Sequence, residues 1–163
     1  MQSRFAAYAG DCRISGTLVA ASRTMDEALE GDAPLTLRDA VLERLGDGRS
    51  AAADHVDVFP ADLLAVEARP RRRTGVHVRA GRRVHVQAGP YAVIGELVDP
   101  GKGDAHRMLA VTGASISWVR AGQVEMRQVD ALLVNRALVD WVVDGGGRNA
   151  TYVAAFQATP LPG

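Results

Sequence analysis

The chain has 163 residues, 47% of them apolar and 23% charged, with a net charge of zero. That composition belongs to a folded globular chain and excludes a disordered or polyelectrolyte one. No apolar run approaches a membrane span and no basic-then-apolar leader opens the chain, so a cytoplasmic protein without membrane insertion is expected.

Residues 4–9 and 12–19 read as a strand pair around a Gly10-Asp11 turn: Cys12, Ile14 and Leu18 alternate with Arg13, Ser15 and Thr17, the period of a half-buried strand. Cys12 is the only cysteine, which excludes an internal disulfide and marks it as a structural thiol beside a strand. Gly16 interrupts this strand, where glycine signals a bulge or a close backbone approach. Thr24, with Glu27 three residues on, is a capping box and predicts a two-turn helix stopped by Gly31. Residues 35–45 are expected as strand. In the middle, Val76-His77-Val78-Arg79 and Arg83-Val84-His85-Val86-Gln87 alternate around Ala80-Gly81 and predict a hairpin with its valines inward. Ser115-Ile116-Ser117-Trp118-Val119 is again strand, and the chain closes through Gly145-Gly146-Gly147 on an apolar segment that includes Tyr152, Val153 and Phe156.

The chain also repeats itself. Ile14-Ser15-Gly16-Thr17-Leu18-Val19 returns 79 residues later as Val93-Ile94-Gly95-Glu96-Leu97-Val98, and Ala40 returns as Ala114 after 74. Asp104-Ala105-His106-Arg107-Met108-Leu109 stands where the first copy has its short helix, and Phe59 is aligned with Val134. Such self-similarity implies a mainly β chain of two tandem homologous, small, β-barrel-like units related by a pseudo-twofold, each with about one short helix. The units are residues 8–67 and 76–143, joined by a basic linker, 68–75, and followed by a Gly-rich hinge and C-terminal tail, 144–163.

In each copy a bent glycine strand, a variable loop, an apolar strand, a Gly turn and a closing strand follow one another, an order that resembles the SH3-type and Sm-type small barrels. The resemblance implies the barrel shape. For Sm proteins it also implies ring assembly and RNA binding, but their aspartate-to-asparagine and Arg-Gly motifs are missing from the matching regions, near 20–32 and 56–61, so no binding residue is carried over. The Val134-Asn135-Arg136-Ala137-Leu138-Val139 strand is similar to that of an uncharacterised bacterial module, which implies no known activity.

Several groups of residues invite a function. Arg69, Arg71, Arg72, Arg73, Arg79, Arg82 and Arg83 fall within fifteen residues and could contact phosphates or a protein partner, without an aromatic nearby on which a base could stack. Residues 1–67 carry twelve acids and six arginines, residues 68–163 seven acids and thirteen basic residues. Fields of −6 and +6 could hold the halves together or order molecules head to tail. His77 and His85 share a strand face but lack a third ligand, so no metal or other cofactor is expected. The two tryptophans, Trp118 and Trp141, belong to the second copy alone, as core or as partner anchors. No nucleophile elbow, zinc-binding helix or phosphate loop is present. These features point to a non-catalytic assembly or adaptor protein that contacts itself, another protein or both, with Tyr152, Val153 and Phe156 as an assembly tail or, folded back, as a strand on their own second unit. The alternative is a small-barrel protein that binds nucleic acid or a phosphate ligand through the arginine-rich hairpin.

Overall fold

A computed structural model describes residues 3–19, 24–68, 81–98 and 106–144, with the backbone of 152–153. The first half comprises β1 (Ser3–Ala9), β2 (Cys12–Leu18), helix α1 (Met25–Glu30), β3 (Leu35–Arg44), β4 (Ser50–Val58) and β5 (Leu63–Ala68). The second comprises β6 (Arg82–Ala88), β7 (Tyr91–Leu97), β8 (Met108–Arg120), β9 (Gln123–Asn135), β10 (Trp141–Asp144) and the two-residue β11 (Tyr152–Val153). All strands pair antiparallel in a single sheet, in the order β11-β10-β6-β7-β8-β9-β5-β1-β2-β3-β4. The chain is therefore mainly β.

That order contains the same sequence of pairings twice. Strands β1 to β4 form a meander and β5 returns to pair with β1; β6 to β9 form a meander and β10 returns to pair with β6. A single 3-10 turn precedes each returning strand, at Pro60–Asp62 and Arg136–Leu138. The residue pairs match too. Phe5 faces Gly16 as Val84 faces Gly95, Ser15 faces Val41 as Ile94 faces Ser115, and Ala7 faces Val66 as Val86 faces Val142.

The glycines explain how the meanders bend. Between Ser15 and Thr17 the register on β3 skips, so Gly16 opposes both Asp39 and Ala40; Gly95 opposes Gly113 and Ala114 in the same way. Asp39 and Gly113 take left-handed backbone (φ 48° and 54°), the geometry of a bulge. A Cβ on Gly16 would lie 3.0 Å from the Arg38 carbonyl oxygen, and one on Gly95 would lie 2.6 Å from Val111 Cγ1. Past each bulge the buried positions change parity, from Leu35 and Leu37 to Ala40, and from Leu109 and Val111 to Ala114, Ile116 and Trp118. The neighbouring strand keeps its parity throughout (Ile14 and Leu18, Val93 and Leu97), so the extra residue of the bulge holds both stretches on one core-facing side.

Two apolar cores result. The first gathers Phe5, Ile14, Leu18, Leu29, Leu37, Leu63 and Val66, the second Val84, Val86, Tyr91, Val93, Val111, Ile116, Leu132 and Val142. Each borrows from the other half. Met108 enters the first, while Tyr8, Leu45, Leu64 and Ala65 enter the second.

Helix α1 forms as its capping box requires, with Thr24 Oγ1 accepting from Glu27 N–H and the Glu27 carboxylate accepting from Thr24 N–H. Three expectations need correction. His106 and Arg107 are not helical and Met108 already begins β8, so the second copy has no described counterpart to α1; residues 104–105 lie outside the described residues. The alignment of Phe59 with Val134 is one residue out of step. Val58 matches Val134, both paired to the start of the third strand of their meander (Leu35 and Leu109), and Phe59 stands at the N-terminal position of its 3-10 turn that Asn135 holds in the other. Because strand side chains alternate, that single step decides whether the residue is buried: Val58 is, and Phe59 is half exposed. The Arg83–Gln87 arm of the expected central hairpin is β6, whose neighbours are β7 and β10, while residues 76–79 lie outside the described residues.

Candidate functional site

Where the halves meet, β5 pairs with β9 over four residues: Ala65 with Val134, Val66 with Leu133, Glu67 with Leu132 and Ala68 with Ala131. Beside this seam stand three aromatic rings, Tyr8, Tyr91 and Trp118, with centroids 5.3 to 6.5 Å apart and tilted or edge-on. The Arg13 guanidinium lies 4.3 Å from the Trp118 ring centre. Tyr91 donates to the carbonyl of Ala9 at 2.7 Å, a bond from one half to the other. Tyr8 donates to Glu67 Oε1 at 2.8 Å. Burial, and for Tyr8 also the Glu67 carboxylate, pushes both phenols well above the usual tyrosine range. They stay neutral and act as donors.

Charge closes the same seam. Glu43 receives Arg13 and Arg120, each at 3.3 Å, and Arg120 also holds Glu125. Arg127 Nε lies 2.8 Å from Glu67 Oε1. Arg107 donates to the Gly31 carbonyl at 2.8 Å and to Asp32 at 2.6 Å, and its backbone N–H reaches Glu30 at 2.8 Å, tying β8 to the end of α1. Arg107, Arg120 and Arg127 all come from the +6 half, and their partners Glu30, Asp32, Glu43 and Glu67 from the −6 half. The opposite fields are visible in the sequence but these arginines are not, because they are isolated in sequence and meet acids from 60 to 77 residues away.

The arginine cluster is placed only in part. Arg82 and Arg83 are exposed at the start of β6, with Arg82 Nε 3.8 Å from Asp144 in the same half; Arg69, Arg71, Arg72, Arg73 and Arg79 lie outside the described residues. His85 projects outward from β6 between the buried Val84 and Val86, and His77 is outside the described residues. Among the described residues no three His, Cys, Asp or Glu side chains gather as metal ligands. Trp118 is core and Trp141 half-buried on β10. Burial, then the neighbouring Asp11, raises the Cys12 thiol above its usual range, away from nucleophilic character. Tyr152 and Val153 pair with Val143 and Val142 of the same chain, and Phe156 is outside the described residues.

Among the described residues two surfaces are open to contact. Strand β4 ends the sheet, and most of its residues are exposed. At the far end of the long β8–β9 hairpin, Val119 and Val124 face one another across the strands with Met126 beside Val124, and these side chains are 53%, 77% and 66% exposed. They occupy the face opposite Trp118. No helix is long and apolar enough to cross a membrane among the described residues. No protein-family model, curated protein or solved structure matches the chain.

Proposed function

We propose that the chain consists of two homologous, small, barrel-like units fused through one sheet, and that it works without catalysis, as an assembly or adaptor protein. Supporting the first part are the doubled strand order and matched bulges. Carrying the second is the exposed apolar face of Val119, Val124 and Met126 on a hairpin whose other face packs into the core. Apolar side chains grouped on an otherwise polar surface mark a contact site. Polar groups at the seam are spent on joining the halves, with Arg120 and Arg127 held by Glu43 and Glu67.

The test is purification from native source under mild conditions. A stoichiometric partner protein is expected to be retained and then lost on Val124→Glu with Met126→Glu, while the melting temperature is unchanged. A protein that comes through alone at every concentration defeats the reading. Binding of nucleic acid through the arginine-rich segment is the second reading, favoured by Arg82 and Arg83 lying exposed together. Titration with short DNA and RNA at two salt concentrations decides it, since phosphate-driven binding weakens steeply with salt.

A further inference from the structure

The seam inside the molecule is a template for a contact between molecules. It joins the fourth strand of one meander, β9, to the returning strand of the other, β5. The two equivalent strands that this seam does not use are β4 and β10, and they lie at or next to the opposite ends of the sheet. Matched pairings place Val58 on Val134 and Val66 on Val142, an offset of 76 residues throughout this part of the repeat. Carried across that offset, the four seam residues of β9 become 55–58 of β4, and the four of β5 become 141–144, which are the whole of β10.

We infer that β4 of one molecule pairs antiparallel with β10 of a second copy, in the register Trp141 to Val58, Val142 to Asp57, Val143 to Val56 and Asp144 to His55, so that copies join head to tail. This goes beyond the contact reading above, since it uses the two ends of the sheet and not the face of Val119, Val124 and Met126. Three observations support it. Among the described residues β4 presents an unpaired edge over a run without proline, lysine or arginine, whose acidic side chains are Asp54 and Asp57. The register sets His55 against Asp144, and each end of the sheet belongs to a half of opposite net charge. Finally, β11 pairs with Val142 and Val143, the middle of the four-residue seat, where the second copy would pair. The tail strand is therefore a competitor that must leave, in place of the bridging arm expected from sequence.

One residue weakens the contact relative to its template. Where the internal seam has Leu133, packed against the first core, β4 has the exposed Asp57, bonded to Thr36 at 2.7 Å. The assembly is consequently reversible and dependent on concentration.

Sedimentation of the full chain over a range of micromolar concentrations tests this. Mass is expected to rise with concentration. Asp57→Leu, which restores the template residue, tightens association by about tenfold, and Asp54→Leu, the same change outside the register, leaves it unaltered. Proline is then placed singly at Val56 and Asp57, and singly at Val143 and Asp144. N–H groups alternate between the inner neighbour and the open edge, so the informative variant of each pair is the one that keeps the native melting temperature. Each such variant alone is expected to be monomeric, and a mixture of the two to form a one-to-one dimer. Monomers for both the native chain and Asp57→Leu overturn the inference, as does equal tightening by Asp54→Leu or a mixture that fails to dimerise. A chain that stays monomeric yet retains a different protein on purification overturns the inference and leaves the contact reading standing.

Discussion

Gly16 and Gly95 hold equivalent positions, but the space around them differs. A Cβ at Gly95 would press on Val111 Cγ1, on the Thr112 carbonyl oxygen at 2.9 Å and on Ala114 Cα at 3.1 Å, whereas at Gly16 the tightest approach is 3.0 Å. Gly95→Ala is expected to cost about 1–3 kcal/mol and Gly16→Ala less, because buried strands yield poorly to an added carbon; urea unfolding measures both. The left-handed position opposite each glycine responds to conformation instead of space. Gly113 has nothing within 4 Å, so Gly113→Val is destabilising through its backbone, while Asp39→Gly is tolerated. Tyr8 and Tyr91 make a pH-dependent contribution. Their native pKa values are raised, so the unfolded chain releases these protons first, from about pH 10 upward. Stability from this source is complete below about pH 10 and falls as pH rises above it. Tyr91→Phe loses the bond to Ala9 and starts less stable, yet its alkaline decline is shallower; melting temperatures across the alkaline range reveal both effects.

At the scale of elements, local chemistry and distant contact act on α1 together. Its capping box is written in Thr24 and Glu27, but six residues are too few for a helix to persist alone. Leu29 anchors it in the first core, and Arg107 receives its C-terminal end through the Gly31 carbonyl and Asp32. Arg107→Ala removes these bonds from a side chain only 24% exposed. A loss of about 1–2 kcal/mol is expected, with faster proteolysis within 24–34 and little change in the strands; limited digestion followed by peptide mapping checks this. The strands were legible wherever their two faces differ, as in β2 and β6. β4 was not, since Ser50-Ala51-Ala52-Ala53 has no alternation to read, and an end strand exposed on both sides needs none.

For the whole molecule, the cores determine how it unfolds. Tyr8, Leu45, Leu64 and Ala65 belong by sequence to the first half and by packing to the second, while Met108 does the reverse. Neither half keeps a complete core without the other. A single calorimetric transition is expected, with equal calorimetric and van't Hoff enthalpies. Two resolved transitions would show the halves to be independent. Glu43→Gln, which weakens the hold on Arg13 and Arg120, is expected to lower that one transition without splitting it.

The sequence by itself determined the strand character of the chain, the capped helix and the doubled pattern of Gly16 with Ala40 and Gly95 with Ala114. Each of these depends on local backbone preference or on a spacing that survives in the residue order. Tertiary structure alone decided the one-residue phase at Val58, the neighbours of β6 and the arginines that join the halves. Pairing partners are chosen by contacts across tens of residues, where a shift of one position exchanges buried for exposed and local propensity is indifferent. Arg107, Arg120 and Arg127 look ordinary in the chain; only folding brings Asp32, Glu43 and Glu67 to them.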